Sequence, residues 1–249
     1  PEEMPPLTPE QDSGKETKVD SLAEETDKEE KQHTIEIKGD LSIVVPADLE
    51  VLSTYVFLEK EEWFEPELDF VQSYLQPGMH ALDVGACFGG YALPMAKAVG
   101  KRGVVTAFEP SFSSRSYLEK SKLENKLTQL EVIGRGVSSR TGSLSFKEED
   151  SPVLNQVSKE GEKKNNVTTL YDWWNFAGQS EVEMIKIDVN GMEVDVLKGA
   201  SEMLAGVKPV VVVSVENNDE CLEKLYEEFS QQDYRLYEYI PGPGVLAEY

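Results

Sequence analysis

The stretch at residues 81–91, Ala-Leu-Asp-Val-Gly-Ala-Cys-Phe-Gly-Gly-Tyr, constrains the fold of this chain more than any other. An apolar run there reaches the carboxylate of Asp83 and then small residues, which is typical of a buried parallel strand entering a tight turn before a helix. Because glycine lacks a Cβ, the backbone at Gly85 and Gly89 can turn sharply and let a ligand approach closely. Nucleotide sites on open α/β sheets share this order of strand, glycine loop and helix. We therefore expect the functional site at this loop.

Strand-like apolar runs alternate with helical patterns along the rest of the chain, and this alternation predicts βαβ units and a parallel sheet. One helix is predicted over residues 192–204. Pro-Gly-Pro-Gly at residues 241–244 predicts a turn, so the last strand returns antiparallel. We predict an α/β, doubly wound, Rossmann-like fold with a seven-stranded, mostly parallel sheet and an antiparallel last strand. The strands are predicted at residues 79–84, 104–110, 130–133, 182–189, 209–216, 233–240 and 245–249.

Composition divides the chain into three regions. Residues 1–33 contain too few apolar groups to offset the entropy of ordering, so we predict a disordered acidic tail or linker. Residues 34–78 are predicted to form an N-terminal hairpin and helix packed on the core, and residues 79–249 the main domain. Within that domain, residues 150–166 are polar, and we predict a long loop of the kind that often forms a lid or binding segment.

The overall charge and the few cysteines narrow the class of partner. A formal net charge of −23 argues against nucleic acid and against anionic membrane surfaces, which attract lysine and arginine clusters. Cys87 and Cys221 show no paired spacing, and neither His33 nor His80 is well placed for a ligand, so no disulfide framework or metal site is expected. No apolar run approaches the ~20 residues of a membrane span, and no signal peptide is visible. A cytoplasmic location is the expectation.

The glycine loop and the acid that follows the next strand indicate which nucleotide is bound. The spacing Gly85-x-x-x-Gly89-Gly90 differs from Gly-x-Gly-x-x-Gly, so the dinucleotide fingerprint fails. Glu109 ends the predicted second strand, 24 residues after Gly85. A carboxylate there can accept hydrogen bonds from both hydroxyls of a ribose bound at the loop. A tight structural turn and a solvated strand-end acid are the alternatives.

A third set of polar residues follows the predicted fourth strand. Lys186, Asp188 and Asn190 alternate along the chain and so point to one side of the sheet. Asp188 and Asn190 lie at the carboxyl end, where open α/β sheets place ligands. A buried lysine is costly unless paired, and Asp188 is its nearest candidate, so a purely structural pair is the alternative. Glu216 ends the fifth strand and either faces the same cleft or caps the next helix.

With these motifs assembled, residues 54–249 resemble the FkbM family of S-adenosylmethionine-dependent methyltransferases. Leu-Asp-Val-Gly-Ala at residues 82–86 resembles the family's first motif, and Ala-Phe-Glu-Pro at 107–110 its second. The most specific stretch is residues 185–193, Ile-Lys-Ile-Asp-Val-Asn-Gly-Met-Glu. The closing antiparallel hairpin is the arrangement of class I methyltransferases. The segment at residues 54–65 is similar to bacterial members that are often joined to helical repeats, which implies a fragment of a longer chain.

The resemblance implies S-adenosyl-L-methionine as cofactor and methyl transfer to a hydroxyl of a small-molecule or saccharide acceptor. It implies that the loop holds the methionine portion, that an acid supports its amino group, and that another binds the ribose. The implied cofactor-binding residues are Asp83, Gly85, Ala86, Cys87, Gly89 and Glu109.

Catalysis is expected from a carboxylate beside the acceptor. We name Asp188 first for the catalytic or substrate-facing role, with Asn190 beside it, and Glu216 and Glu193 as the other candidate bases. Two departures matter, because the family usually has asparagine where Cys87 stands and glutamate where Asn190 stands. They motivate an alternative, a non-catalytic cofactor- or partner-binding module with a methyltransferase fold.

Overall fold

The computed structural model describes residues 31–147, 156–157, 163–215 and 219–248. Its helices are α1 (Leu52–Lys60), α2 (Glu67–Tyr74), α3 (Ala92–Val99), α4 (Phe112–Glu124), α5 (Leu170–Phe176), α6 (Glu193–Lys198), α7 (Ser201–Val207) and α8 (Asp219–Gln231). Its strands are β1 (Gln32–Ile37), β2 (Leu41–Pro46), β3 (His80–Val84), β4 (Val104–Phe108), β5 (Leu130–Ile133), β6 (Gly136–Val137), β7 (Gly142–Lys147), β8 (Gln156–Val157), β9 (Lys163–Thr168), β10 (Met184–Ile187), β11 (Val210–Val213), β12 (Tyr237–Ile240) and β13 (Val245–Glu248).

Five parallel strands form the central sheet, in the order β11-β10-β3-β4-β5. The chain starts in the middle with β3, runs outward through β4 and β5, and then crosses back to β10 and β11. The apolar side chains of β3 and β10 are fully buried, because helices cover both faces of the sheet. All five strands end at the same edge of the sheet, which places the loops after β3, β4 and β10 side by side.

The N-terminal hairpin β1–β2 packs against α4 through side-chain hydrogen bonds to the backbone. The backbone N–H of Ser42 donates to Asn125 Oδ1 at 2.7 Å, and that of Val44 donates to Ser121 Oγ at 2.8 Å. Ile43 and Val45 of β2 are completely buried. These contacts bring the following segment, which contains α1 and residues 61–66, towards the glycine loop after β3: a Cβ at Gly90 would lie 3.3 Å from the Trp63 ring.

The α/β fold with its parallel, helix-covered sheet confirms the expected fold class, but the sheet has five strands in the described residues rather than seven. The antiparallel hairpin β12–β13 is present and forms a separate two-stranded sheet. Its side chains are mostly exposed. In the described residues the two strands pair with each other and not with the central sheet.

Two further sequence predictions are wrong in detail. The single helix over residues 192–204 is two helices, α6 and α7, with Gly199 and Ala200 between them. Gly199 packs against the backbone of Ser138, where a Cβ would lie 2.1 Å from the carbonyl oxygen. The loop at 150–166 contains strand β9 from Lys163 onward, which pairs antiparallel with β7. The predicted tail at residues 1–33 falls almost wholly outside the described residues. Among the residues that the structure describes, no helix has the length and apolarity needed to cross a membrane.

Candidate functional site

A cleft with a volume of about 280 Å³ opens at the carboxyl ends of β3, β4 and β10. Its lining includes Asp83, Gly85, Ala86, Cys87 and Glu109, all of which the sequence predicted for cofactor binding. It also includes two of the predicted catalytic residues, Asp188 and Asn190. The structure therefore brings three separate sequence motifs together. The strands that precede them, β10, β3 and β4, are neighbours in the sheet, although β10 comes much later in the chain.

The glycine loop is fixed against the neighbouring strands by its backbone. The N–H groups of Gly85 and Ala86 both donate to the carbonyl oxygen of Phe108, at 3.0 and 3.1 Å. Gly85 has a φ of +91°, and a Cβ there would lie 1.8 Å from the carbonyl oxygen of Asp188. No side chain fits at this position, because the loop and the end of β10 are already in contact. The absence of a Cβ at Gly85 thus allows the short distance between the glycine loop and the backbone of Asp188.

Gly89 has a packing role rather than a place in the cleft wall. Its φ is +105°, and a Cβ would meet Leu118 Cδ1 at 2.7 Å and Leu93 Cγ at 3.1 Å. Gly89 does not line the cleft. Of the six residues named for the cofactor, it is the one that the structure places behind the loop.

Cys87 occupies a conformation that suits asparagine better than cysteine. Its φ is +46°, in the left-handed region where asparagine is several-fold enriched. Its backbone N–H donates to Glu109 Oε2 at 2.8 Å. Burial raises the pKa of its thiol well above the ordinary value, so the side chain is uncharged.

Glu109 is buried at the end of β4 and is held by two backbone donors. Its exposure is 7%, Oε2 accepts from Cys87 as described, and Oε1 accepts from the N–H of Ser111 at 2.8 Å. The N–H of Glu109 itself donates to Ile133 of β5 at 3.0 Å, which fixes its backbone. Burial raises the pKa of the carboxyl to about 7, although the two backbone donors and Arg115 act in the opposite direction. The carboxylate is thus oriented, and its remaining lone pairs can accept from a ligand.

Asp83 contributes a buried oxygen that has no partner in the described part of the chain. Its exposure is 2%, and Oδ2 makes no hydrogen bond. Burial raises the pKa of this carboxyl to about 7, against the lowering effect of Lys186. A buried carboxylate oxygen without a donor costs free energy. A cationic or hydrogen-donating ligand group at this place would remove that cost.

Lys186 lies on β10 beside Asp83 and is completely buried, with 0% exposure. Its Nζ donates to Ser214 Oγ at 2.6 Å and lies 3.5 Å from Asp188 Oδ2, so the predicted pairing with Asp188 is present. It also lies 3.7 Å from Glu65 Oε2 and 4.5 Å from the centre of the Tyr91 ring. The lysine is therefore shared between two carboxylates.

Asp188 is the acidic residue at the carboxyl end of β10, and 34% of its side chain is exposed to the cleft. Burial raises the pKa of its carboxyl, Lys186 lowers it, and the negative charge of Glu65 raises it. Asn190 lies two residues further on, with a φ of +46°, a backbone conformation that asparagine tolerates. Both residues line the same wall.

Two further acids were candidates for catalysis. Glu193 is the first residue of α6, is 3% exposed, accepts from the N–H of Gly191 at 3.0 Å and does not line the cleft, so its carboxylate stabilises the start of that helix. Glu216 lies outside the described residues.

His80 is at the opposite end of β3, next to Thr106, and burial lowers its pKa. No group of three or more His, Cys, Asp or Glu side chains in the described residues is arranged to hold a metal ion.

The N-terminal segment, by which we mean α1 and residues 61–66, supplies cleft residues that the sequence did not indicate. Glu65 reaches the buried lysine, and its Oε2 accepts from Tyr91 OH at 2.8 Å. Phe57 and Trp63 pack at 5.4 Å between ring centres above Gly90, and Phe64 follows them, 56% exposed at the cleft. The one signal in the sequence was Lys186 itself, because a buried lysine needs a partner, and the sequence analysis named only Asp188 for that role.

The fold and this cleft define a class I methyltransferase, in which a glycine loop follows the first core strand and an acid ends the second. A family model described as the methyltransferase FkbM domain matches residues 83–236. The chain belongs to the FkbM methyltransferase family, whose cofactor is S-adenosylmethionine. No curated protein matches the chain significantly.

Solved structures of methyltransferases are similar to this fold. Methyltransferase FkbM from Methylobacillus flagellatus KT has a TM-score of 0.50 and 17% identity, over 78% of this chain and 51% of that chain. A putative rRNA-methylase from Clostridium thermocellum has a TM-score of 0.46 and 14% identity, over 69% of this chain and 82% of that one. A SAM-dependent O-methyltransferase from Thermotoga maritima has a TM-score of 0.44 and 15% identity, over 84% of this chain and 68% of that chain. This chain spans about half the length of the Methylobacillus protein.

Proposed function

We propose that this protein transfers a methyl group from S-adenosylmethionine to a hydroxyl oxygen of a small-molecule or saccharide acceptor. The observation that carries the proposal is the single cleft that unites the glycine loop, the buried acids Asp83 and Glu109, and the half-exposed acid Asp188. The first group suits a cofactor, and the last faces the space that remains for an acceptor.

The residues present fit S-adenosylmethionine. The unpartnered Oδ2 of Asp83 suits the cationic amino group of the methionine portion, which removes the cost of that buried oxygen. Glu109 is held by two backbone donors in a fixed orientation that suits the two hydroxyls of a ribose. Gly85 lets the loop pack directly against the end of β10, where any side chain would collide with the carbonyl oxygen of Asp188.

The chemistry assigned to the chain is orientation and removal of one proton. When bound, the cofactor supplies a methyl group that its sulfonium already activates. Asp188 accepts the proton that the acceptor hydroxyl loses as its oxygen takes the methyl group. Because burial and the charge of Glu65 raise the pKa of Asp188, its carboxylate is a stronger proton acceptor than an ordinary aspartate. Asn190, beside it, offers an amide that can orient the acceptor by hydrogen bonding.

The alternative is a module of the same fold that binds the cofactor without turnover. It is motivated by Asn190, where the family usually has a carboxylate. If Asp188 is the proton acceptor, catalysis does not need a carboxylate at position 190. The binding module gives Asp188 no catalytic role, so the two proposals differ in the effect that they expect from replacing Asp188.

Calorimetric titration of S-adenosylmethionine, followed by transfer of labelled methyl to a panel of sugars and hydroxylated small molecules, tests the proposal. We expect wild type to bind and to label at least one hydroxyl, and Asp188→Asn to bind with little change but to lose at least ~100-fold in turnover. Glu131→Gln, an exposed acid on β5, is the matched control and keeps both properties. Failure of wild type to bind overturns the proposal. Binding with labelled products that survive Asp188→Asn removes Asp188 as the base.

A further inference from the structure

The buried lysine beside the cleft lies close to two acids, one two residues further along the chain and one from the segment between α1 and α2. Lys186 Nζ lies 3.5 Å from Asp188 Oδ2 and 3.7 Å from Glu65 Oε2, and its exposure is 0%. One ammonium cannot fully neutralise two carboxylates. The position of Glu65 therefore affects how strongly the lysine engages Asp188.

Glu65 is itself fixed by neutral donors. Its Oε2 accepts from Tyr91 OH at 2.8 Å and from Ser214 Oγ at 3.1 Å. Tyr91 follows the glycine loop, Ser214 follows β11, and Glu65 lies in the segment between α1 and α2, outside the 83–236 match to the family domain. These hydrogen bonds from Tyr91 and Ser214 hold the Glu65 carboxylate near Lys186.

We propose that Glu65 is a positioning residue for Asp188: it shares Lys186 with Asp188, so that Asp188 is oriented at the cleft without being fully ion-paired. The inference rests on the proposed role of Asp188 as proton acceptor. It gives the N-terminal segment a part in the reaction, because that segment sets how basic the acid on β10 is.

The charged and titratable groups that face Asp188 are Lys186, Glu65, Asp83, Tyr91 and Cys87. Lys186 is the one cation among them. The pKa of Asp188 is raised by burial first, lowered by Lys186 and raised by Glu65. If Glu65 lost its charge, Lys186 would pair with Asp188 alone, and the pKa of Asp188 would fall. If Lys186 lost its charge, two acids would face each other, and the pKa of Asp188 would rise.

The experiment is an NMR titration of the ¹³C-labelled carboxyl group of Asp188, assigned by its absence in Asp188→Asn. We expect Glu65→Gln to move the titration midpoint of Asp188 to lower pH and Lys186→Met to move it to higher pH. Glu59→Gln, an exposed acid on α1, leaves the midpoint unchanged. Opposite directions are required, because a site that merely loosened and admitted water would move both midpoints down towards that of an ordinary aspartate.

The outcomes separate this inference from the proposed function. An unchanged midpoint in Glu65→Gln, or a fall in both variants, overturns the positioning role. Should Glu65→Gln fail to fold, Glu65→Asp keeps the charge but withdraws it from both neighbours, so a smaller fall supports the inference and no change overturns it. Calorimetry with S-adenosylmethionine on the same wild-type sample reports the proposed function independently, since absence of binding there leaves the titration result standing.

Discussion

Replacing Gly85 by alanine tests how closely the cofactor loop and β10 are joined. A Cβ at this position would lie 1.8 Å from the carbonyl oxygen of Asp188, and ordinary contact begins at 3.4 Å, so the two segments must separate by about 1.6 Å. The alanine must also hold a φ of +91°, which costs about 1–2 kcal/mol. Forced separation of packed segments adds about 1–3 kcal/mol. We expect a loss of about 2–5 kcal/mol in the free energy of unfolding.

Gly78→Ala is the matched control for the conformational part of this cost. Gly78 also has a positive φ, +103°, but nothing lies within 4 Å of its missing Cβ. It should lose only about 1–2 kcal/mol. Urea denaturation followed by tryptophan fluorescence measures both values. Calorimetry with S-adenosylmethionine then shows whether the separation abolishes binding in Gly85→Ala and spares it in Gly78→Ala. Equal destabilisation with binding retained in both would refute the inference that this contact fixes the site.

Three further perturbations have expected outcomes. Glu109→Ala removes a carboxylate held by two backbone donors, and we expect cofactor affinity by calorimetry to fall about 10- to 100-fold, while Glu131→Ala on β5 leaves it unchanged. The pKa values of Asp83 and Glu109 are raised to about 7. Because ionised carboxylates accept from the cofactor, affinity should rise several-fold between about pH 6 and pH 7.5, and a flat profile would contradict the proposed contacts. The same raised pKa values mean that folding retains protons that the unfolded chain has released, so stability falls as pH rises from about 4 to about 7. Cys87→Asn places a residue that tolerates a φ of +46° in the loop and should stabilise the protein by about 0.5–1 kcal/mol in urea denaturation, whereas destabilisation would show that packing of the thiol matters more.

Local pattern was sufficient for the central strands. The third core strand was predicted at residues 130–133 and is observed as Leu130–Ile133, and the first was predicted to start at 79 and starts at His80. Continuous apolar runs specify buried parallel strands, because both faces of such a strand are covered. The hairpin at the end of the chain was also readable from its Pro-Gly-Pro-Gly turn, but its separation from the central sheet depends on which faces find partners, which local pattern does not encode.

The loop at residues 81–91, the acid Glu109 and the stretch around Asp188 were identifiable in the sequence, because each follows a strand whose end was predictable. Their meeting in one cleft depends on the parallel topology, which the sequence predicted, and on the strand order β10-β3-β4, which the structure shows. Only the tertiary structure decided which residues contact Lys186. Glu65 and Ser214 are hydrogen-bonded although 149 positions apart, and Tyr91 joins them from beside the glycine loop. Periodicity reports which face of an element is buried, not which distant side chain meets it there. The buried lysine in the sequence therefore indicated that an acidic partner was needed. The fold determined that a second acid, Glu65, comes from the segment between α1 and α2.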